Sequence, residues 1–410
     1  MREILLMSFL GPDRPRQFTR LMGVLARHGL DLLDAGQAVI HDQLTLGLVI
    51  SSPDATSTAL AMRDMLLIGQ EIGLTVRFEP ISAEQYEHWV GEGGQTRHIV
   101  TVLARQLSPA ALSAVCEVIS NHGFNIETIN RLSGRQSLQQ LETPQPHTKS
   151  CIELGLRGRL LDAQALRADC LRLSGEWSID IAVQEDNAFR RNRRLVCFDM
   201  DSTLIEQEVI DELAIEAGVG GQVAAITERA MQGELDFGQS FAARLALLRG
   251  MDASVLEKIA QRLTLTEGAP QLIATLKALG YRTAILSGGF SYFAEHLQRR
   301  LGIDEVHANT LDIQDGKVTG QVVGRIVDGQ RKAELLRELA EREGIQLAQT
   351  IAVGDGANDL PMLSIAGLGI AFRAKPLVRQ NANQAISSVG LDGILYLLGV
   401  RDYDLAPVQP

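Results

Sequence analysis

The pattern that most restricts the fold of this chain begins at Leu195. From there onward, short apolar runs alternate with helical patterns, and each run has the length of one buried strand. Strands separated by helices are joined by crossover connections, so they form a mostly parallel sheet with helices on its faces. We therefore predict an α/β domain over residues 195–410, with a Rossmann-like sheet. Its strands are expected at LVCFDM, RTAILSG, TIAVGD, LGIAF and QAISSV.

One part of this domain departs from the alternation. Residues from about 206 to 266 contain four helical patterns and no β-rich run. A helical insert directly after the first strand lies over the carboxyl ends of the strands, where open α/β sheets bind their ligands. The segment is therefore predicted to form a helical cap above a ligand site.

The first half of the chain contains an internal repeat. LARHGLDLLDAGQ begins at Leu25 and ISNHGFNIETINR begins at Ile119, an offset of 94 residues. Each copy has the order strand, helix, strand, strand, helix, strand, which is the split βαβ arrangement of ferredoxin-like domains. The His-Gly pair in each copy predicts a helix end closed by a left-handed glycine. We predict two domains of this kind, residues 1–86 and 95–185.

Three connecting segments are predicted around these domains. The Gly-rich stretch EHWVGEGGQTRH joins the two copies, and residues 133–149, with two prolines, are predicted to form an irregular loop. EDNAFRRNRR precedes the α/β domain, with residues 186–194 as the linker. Its basic run is either a solvated linker, which is the preferred interpretation, or a contact for a phosphate-bearing partner.

Composition argues against several classes of partner. The net charge is −11 and aromatic residues make up 4 % of the chain, so neither a nucleic acid nor an anionic membrane surface is expected. The apolar runs are all shorter than the roughly 18 residues of a membrane span, and the N-terminus does not resemble a signal peptide. The four cysteines are dispersed without a CxxC pair, as in a reducing compartment. We predict a cytoplasmic protein.

Acidic side chains follow two of the predicted strands. Asp199 and Asp201 lie in DMDST, and Asp355 and Asp359 lie in GDGAND. The carboxyl ends of parallel strands meet at one crevice, and carboxylates gathered there need a positive partner. No His or Cys accompanies them in these motifs, and ligation by oxygen alone is typical of Mg²⁺. The sequence therefore predicts a magnesium site.

Two further residues suit phosphate chemistry at the same crevice. Ser287 ends another strand in LSGG, and Lys332 opens the helix before the last acidic motif. A metal and a lysine neutralise a phosphate, while a hydroxyl and loop N–H groups hold its oxygens. One carboxylate can then attack phosphorus and another can protonate the leaving oxygen. This set of residues predicts phosphoryl transfer.

In this order, DxDST, SGG, K and GDGxND resemble the motifs of the haloacid-dehalogenase superfamily of phosphatases. Over Leu195–Val400 the resemblance is to its phosphoserine-hydrolysing members. It implies that Asp199 is the nucleophile and Asp201 the general acid/base. It also implies that Mg²⁺ is held by Asp199, the backbone carbonyl of Asp201 and Asp355, with Asp359 in a supporting position.

The same resemblance implies how the substrate is held. The phosphoryl group is expected to contact Ser287, Gly288, Lys332 and Asn358. A one-residue slip would exchange Lys332 with Arg331, and the following AELL favours Lys332. Glu208 is assigned to the ammonium of phosphoserine, Arg244 to its carboxylate, and Met231 and Phe237 to the apolar pocket wall. The alternative for the last three is ordinary helix surface and cap packing.

The repeats resemble ACT domains, regulatory modules that pair through their sheets and often bind amino acids. The resemblance rests on topology, the His-Gly elements and LGPDRP. It implies a homodimer formed through these domains. Ligand-binding copies have a glycine directly after the proline, where this chain has Arg16 and Ala110. Amino-acid sensing and a purely dimerising role therefore remain alternatives.

The activity implied is Mg²⁺-dependent hydrolysis of O-phospho-L-serine through an aspartyl-phosphate, as the last step of serine biosynthesis. Two alternatives are kept. One is action on another small phosphomonoester, or transfer to an alcohol such as homoserine, because an acceptor can replace water. The other is an amino-acid sensor with an inert phosphatase half. The complete set of motif residues argues against the second alternative.

Overall fold

The computed structural model of the protein describes residues 2–92, 96–143 and 147–405, without the side chains of Glu92, Leu141 and Met231. The chain forms two compact units, which divide between Gln95 and Thr96. The first predicted repeat is the first unit. The second repeat and the α/β domain lie together in the second unit.

The first unit is a four-stranded antiparallel sheet with two helices against one face. The strand order is β2-β3-β1-β4. Met7 and Phe9 alternate along β1 and pack against Leu21 and Val24 of the first helix, as a half-buried strand requires. The elements are β1 Glu3–Pro12, α1 Gln17–Arg27, β2 Asp31–Ile40, β3 Gln43–Ser52, α2 Ala55–Ile72, β4 Thr75–Ile81 and α3 Ala83–Glu92.

Helix α3 occupies the start of the stretch predicted as a Gly-rich joint. Ser82 Oγ accepts from the Gln85 backbone N–H at 3.1 Å, and Gln85 Oε1 accepts from the Ser82 N–H at 2.8 Å. This reciprocal cap starts a helix that glycine content alone does not indicate. The remaining Gly93, Gly94 and Gln95 lie outside the described residues.

The second repeat has the same topology as the first. Its strand order, β6-β7-β5-β8, corresponds strand for strand to that of the first unit. The loop predicted as irregular contains a short helix, which begins after Ser137 with a capping box to Gln140. The elements are β5 His98–Ala104, α4 Pro109–Asn121, β6 Phe124–Arg131, α5 Leu138–Glu142, β7 Ser150–Gly158, α6 Ala163–Trp177 and β8 Asp180–Glu185.

The repeated His-Gly pair has the same structural role in both copies. Gly29 and Gly123 have φ of 61° and 84°, so the predicted left-handed helix ends are confirmed. Each histidine also reaches the second helix of its own copy. His28 Nε2 lies 2.9 Å from Asp64 Oδ2, and His122 Nε2 lies 3.0 Å from Asp169 Oδ2.

The two positions that follow the prolines differ from each other. Arg16 has φ 70°, a left-handed conformation that glycine adopts with least strain. Ala110 instead lies in the first turn of α4, directly after Pro109. The first copy therefore keeps the backbone conformation that favours glycine although its residue is arginine.

The α/β part contains a seven-stranded sheet in the order β12-β11-β10-β9-β13-β14-β15. Alternate residues of β9 face opposite helical layers, Val196 and Phe198 on one side and Leu195 and Cys197 on the other. A strand buried on both faces is apolar throughout, which is why LVCF is continuous. The strands are β9 Leu195–Phe198, β10 Arg282–Phe290, β11 Glu305–Gln314, β12 Lys317–Val323, β13 Thr350–Gly354, β14 Leu368–Phe372 and β15 Gln384–Ile386.

The helical insert predicted after the first strand is present. Four helices occupy it, and it contains no named strand. They are α7 Val209–Glu216, α8 Gly220–Met231, α9 Phe237–Ala246 and α10 Val255–Arg262. The helices that follow the insert are α11 Ala269–Ala278, α12 Ser291–Leu301, α13 Gly329–Arg342, α14 Leu360–Ile365, α15 Pro376–Asn381 and α16 Ile394–Leu397.

Strands β11 and β12 are absent from the sequence prediction. β11 runs parallel to β10 and then pairs antiparallel with β12. Asp315 and Gly316, which join them, both have positive φ (51° and 75°), as expected for a tight hairpin turn. The Asp-Gly pair was the available signal, but the polar residues of EVHANTLDIQ mask the strand pattern.

The second repeat is fastened to the α/β sheet by polar contacts. The Gln384 side chain bonds both the N–H and the carbonyl of Val183, at 3.0 and 2.6 Å. Arg105 donates two hydrogen bonds to Glu267, at 2.7 and 2.5 Å. This bidentate contact lowers the pKa of Glu267 to about 2. The two parts therefore share one unit.

The basic segment before β9 is not the solvated linker that was preferred from the sequence. Arg190 and Arg193 are only 3 % and 5 % exposed. Arg190 donates to Glu153 at 2.6 Å, and Arg193 donates to Gln184 at 3.1 Å. The segment is held in place because its arginines form hydrogen bonds to the second repeat.

Among the described residues, no helix combines the length and apolar character needed to cross a membrane.

Candidate active site

The predicted acidic residues lie at the carboxyl ends of adjacent strands. β9 lies between β10 and β13 and runs parallel to both. Asp199 directly follows β9, and Asp355 directly follows β13. The Asp199 backbone N–H donates to Val353 O at 2.8 Å, which extends the pairing of β9 with β13 by one residue. The sheet therefore brings together carboxylates that are 156 positions apart in the sequence numbering, from 199 to 355.

Lys332 lies between two of the acids. Its Nζ is 2.8 Å from Asp199 Oδ1 and 2.6 Å from Asp359 Oδ1, and its side chain is fully buried. Burial alone lowers a lysine pKa, but the two carboxylates raise the pKa of Lys332 above its ordinary value. The adjacent Arg331 pairs with Glu338 at the helix surface. The structure thus places Lys332, and not Arg331, among the acids.

The carboxylates form a cluster that suits a divalent cation. One oxygen from each of Asp199, Asp355 and Asp359 lies within 4.8 Å of the others. Oxygens bound to one Mg²⁺ lie up to about 4.2 Å apart, so small adjustments accommodate the ion. Burial, followed by the charge of Asp199, raises the pKa of Asp355 to about 8 and that of Asp359 to about 7. A bound cation relieves this repulsion.

Asp359 differs from the other two acids because both of its oxygens are occupied. Oδ1 accepts from Lys332, and Oδ2 accepts from the Gly356 N–H at 2.9 Å. Asp199 Oδ1 is also held, by Lys332 and by the Met200 N–H at 2.8 Å. Asp359 therefore suits a supporting position beside the metal ligands.

Asp201 lies against Gly288–Gly289 near the end of β10, a segment called the glycine loop below. Its Oδ1 accepts from the Val209 N–H at 3.1 Å, and a Cβ at Gly289 would overlap its Oδ2. Glycine at this position lets the loop approach the carboxylate. Burial, with neighbouring carboxylates adding to it, raises the pKa of Asp201 well above its ordinary value. Ser287 is fully buried, and its Oγ accepts from the Gly289 N–H at 2.9 Å.

Sequence reasoning missed two residues that fix these loops. Asn309 of β11 donates to Gly288 O at 2.8 Å and accepts from the Val327 N–H at 2.9 Å. It therefore ties the glycine loop to the segment that leads into α13. Thr203 donates to Asp355 Oδ1 at 3.2 Å. Thr203 was visible in DMDST, whereas Asn309 lies on a strand that was not predicted.

The cap contributes an apolar surface next to the glycine loop. Phe237 opens α9, and its Cζ lies 3.1 Å from the position of a Cβ at Gly288. Its ring stacks on Phe241 at a centroid distance of 5.9 Å. Phe237 therefore packs within the cap and also forms a wall beside the glycine loop. Met231 ends α8, and its side chain lies outside the described part of the structure.

The two residues assigned to the amino-acid part of the substrate lie at the cap side. Glu208 Oε1 accepts from Ser202 Oγ at 2.8 Å. Arg244 is half-buried, donates to Ser240 O at 3.3 Å, and forms no ion pair with a described carboxylate. Burial lowers the pKa of Arg244, while the charges of Asp211, Glu208 and Asp201 act in the opposite direction. Its guanidinium is thus electrostatically coupled to the acidic crevice and still has donors to offer.

Asn358 lies in the turn that follows β13. This turn is a short 3-10 helix, Ala357–Asp359, between Asp355 and α14. A Cβ at Gly329 would come within 2.6 Å of the Asn358 carbonyl oxygen, so this turn packs against the start of α13. Asn358 is therefore beside the elements that carry Lys332 and Asp355.

Comparison with known proteins agrees with this geometry. A family model described as haloacid dehalogenase-like hydrolase matches residues 196–364, and an ACT-domain model matches residues 3–79. The crystal structure of a haloacid-dehalogenase family hydrolase from Salmonella enterica serovar Typhi has a TM-score of 0.63 at 32 % identity, covering 73 % of this chain and 98 % of its own. The fold and the carboxylate crevice thus define a haloacid dehalogenase-like hydrolase.

Relatives that match almost the whole chain identify a more specific family within this class. Phosphoserine phosphatase SerB2 of Mycobacterium tuberculosis is 40 % identical over 96 % of this chain and 93 % of its own length. The phosphoserine phosphatase of Streptomyces coelicolor is 40 % identical over 97 % and 92 %. An unliganded structure of a probable phosphoserine phosphatase from Vibrio cholerae, 35 % identical, has a TM-score of 0.58 and covers 75 % and 87 %. The chain therefore belongs to the phosphoserine phosphatase family.

Proposed function

We propose that this enzyme hydrolyses O-phospho-L-serine to L-serine and phosphate through an aspartyl-phosphate on Asp199. The observation that carries the proposal is the group formed by Asp199 and Asp355 at adjoining strand ends and the buried Lys332 of α13, below a cap that offers Arg244. The names of the full-length relatives support the same substrate.

The positions of the side chains support the following reaction. Lys332 and the Met200 N–H hold Asp199 Oδ1, which fixes the carboxylate for attack on phosphorus. As the bond from phosphorus to the serine oxygen breaks, Asp201 gives that oxygen a proton. Water then attacks the phosphorus, Asp201 takes its proton, and the bond to Asp199 breaks to release phosphate. Ser287 and the Gly288 N–H hold the phosphoryl oxygens.

A magnesium ion fits the donor set of this site. Its ligands would be Asp199, the backbone carbonyl of Asp201 and Asp355, with Asp359 in support. When bound, Mg²⁺ supplies positive charge that offsets the charge of the phosphoryl group. Lys332 remains the protein's own cation in the crevice.

Assembly and location are part of the proposal. The edge strand β2 is exposed along most of its length, and an uncovered edge can pair with a second copy. We therefore propose a homodimer formed through the ACT-like domains. All four cysteines are free, which agrees with the cytoplasm as the compartment. The place of the reaction is the final step of serine biosynthesis.

The first experiment compares phosphate release from phosphoserine and from phosphoethanolamine, which lacks the carboxylate, with and without Mg²⁺. We expect kcat/KM for phosphoserine to be about 100-fold or more higher, because Arg244 is left unpaired by phosphoethanolamine. Release should stop when EDTA removes the metal. Equal rates for the two substrates would refute the assignment of phosphoserine. A faster reaction when homoserine is added, with phosphohomoserine as product, would favour transfer over hydrolysis.

Replacement of Arg244 tests the carboxylate contact. We expect Arg244→Ala to raise KM for phosphoserine by about 10- to 100-fold, since charged hydrogen bonds are lost. The kinetic constants for phosphoethanolamine should change little, because it makes no such contact. Arg249→Ala is a matched control, since Arg249 follows the same cap helix but donates to Thr319 O. Equal losses for both substrates would make Arg244 a structural residue only.

A further inference from the structure

A cavity elsewhere in the second unit shares no lining residue with the carboxylate crevice. Its volume is about 690 Å³, within the usual range of roughly 300–1,000 Å³ for small-molecule sites. It is lined by α6, β8 and the segment before β9 on one side, and by the chain around β14 and β15 on the other. Residues that precede strands, such as Ala348 before β13 and Gly367 before β14, belong to its wall. Ser387 and Ser388, which follow β15, also line it, and none of the crevice acids does. The cavity therefore lies beside the β14–β15 side of the sheet and is separate from the crevice.

The wall of this cavity has more positive than negative side chains. Four arginines line it, but only two acids, Asp180 and Glu185. Asp180 is already engaged, because its carboxylate accepts from the N–H groups of Ser387 and Ser388 at 2.8 and 2.9 Å. The chain as a whole has a net charge of −11, so this local excess of positive charge is against the general trend. The arginines are Arg167, Arg190, Arg193 and Arg379.

Two of these arginines are buried although not all of their N–H donors have a hydrogen-bond partner among the described residues. Arg193 is 5 % exposed and bonds only neutral acceptors, Arg190 O and Gln184 Oε1, while its Nε has no partner among the described residues. Arg190 pairs with Glu153, but its Nε is also without a described partner. Buried donors that are left unpaired are costly. Arg193 has no carboxylate partner within the described protein, so its charge is available to a ligand.

Arg167 lies on α6 at the same cavity. It forms no hydrogen bond or ion pair with any residue that the structure describes, and its Nη2 is buried. Unlike Arg193, it therefore has no role in fastening the second repeat to the sheet. Apolar side chains line the wall near it, including Leu166, Cys170 and the partly exposed Phe189.

We propose that this cavity binds a small organic anion, whose carboxylate or phosphate pairs with the arginines and whose apolar body lies against Leu166, Cys170 and Phe189. The ligand contacts both the second repeat and the sheet, so it stabilises the joint between them. The site goes beyond the proposed phosphatase reaction and does not depend on it. It also gives the basic run before β9 a partner of the kind that the sequence left as an alternative.

The test uses the full-length protein with Mg²⁺ and three matched probes: octylphosphonate, which cannot be hydrolysed, octanoate and neutral 1-octanol. Isothermal titration calorimetry should show anion binding that is tighter than the binding of octanol. Octylphosphonate bound in the carboxylate crevice is distinguished because Arg167→Gln does not affect it. Tighter binding of octylphosphonate than of octanoate identifies a phosphate-type ligand, and the reverse order identifies a carboxylate. Binding of the anions no tighter than that of octanol would overturn the proposal.

Single substitutions test whether the anion binds in this cavity. Arg167→Gln should weaken binding of the preferred anion about tenfold or more and leave kcat/KM for phosphoserine unchanged. Arg193→Gln should weaken it as well where the variant folds, as judged by circular dichroism. Arg172→Gln is the matched control, because Arg172 lies on the same helix but pairs with Glu176 at the surface. If Arg167→Gln binds as tightly as the wild type, the site is wrong.

Discussion

We expect Asp199→Asn to lose phosphate release from phosphoserine by at least about 10⁴-fold, because an amide cannot serve as the nucleophile. The loss should appear in kcat. Asparagine has almost the shape of aspartate, and its Oδ1 can still accept from Lys332 and the Met200 N–H. The melting temperature should therefore stay within about 3 °C of the wild type. Colorimetric phosphate assays and calorimetry measure both effects.

Asp315→Asn is the control for this substitution. Asp315 lies in the β11–β12 turn with positive φ, a conformation that asparagine also tolerates. Its replacement should leave both kinetics and stability unchanged. Residual turnover above about 1 % in Asp199→Asn, after contaminating activity has been excluded, would show that another group attacks phosphorus.

Lys332→Met is expected to have a large effect on both stability and activity. The side chain is fully buried between Asp199 and Asp359, and its removal leaves two carboxylates without their cation. Breaking a buried ion pair in this way lowers the free energy of unfolding by about 3–5 kcal/mol. The loss of a charge that faces the phosphoryl group should lower kcat by about 10²- to 10³-fold. Urea denaturation and steady-state kinetics test both expectations.

The neighbouring residue provides the control. Arg331→Met removes surface ion pairs with Glu334 and Glu338, so the free energy of unfolding should change by less than about 1 kcal/mol. The double variant Lys332→Met/Asp359→Asn should regain part of the stability, because one of the unpaired carboxylates is gone, but none of the activity. If Lys332→Met is no less stable than Arg331→Met, the buried ion group does not hold this site together.

Much of the fold follows from local patterns in the sequence. LVCF, TIAVG and LGIAF are continuous apolar runs, and each is a strand of the sheet. The four cap helices and the two βαββαβ repeats follow from periodicity in the same way. β11, β12 and α3 were missed because their side chains are mixed in polarity, and their signals were single turn or capping residues.

For a related reason, some residues of the site were predicted from the sequence and others were missed. The acids and Ser287 lie in motifs at strand ends, and Lys332 lies in a motif at a helix start. The structure brings Lys332 between Asp199 and Asp359, and it brings Asp201 and Ser287 to the same glycine. Thr203 acts through one hydrogen bond and Asn309 through two, and all three join residues that are not neighbours in the sequence. No pattern along the chain marks such a contact.

By itself the sequence determined the parallel sheet, the cap, the repeats and the type of chemistry, because periodicity and strand-end residues are local properties. Only the tertiary structure decided which polar groups meet. It placed Lys332 rather than Arg331 between the acids, joined Arg105 to Glu267, 162 residues away, and buried Arg190 and Arg193. Whether a charge is buried and what compensates it depends on neighbours that the fold brings close, and these neighbours are far apart along the chain.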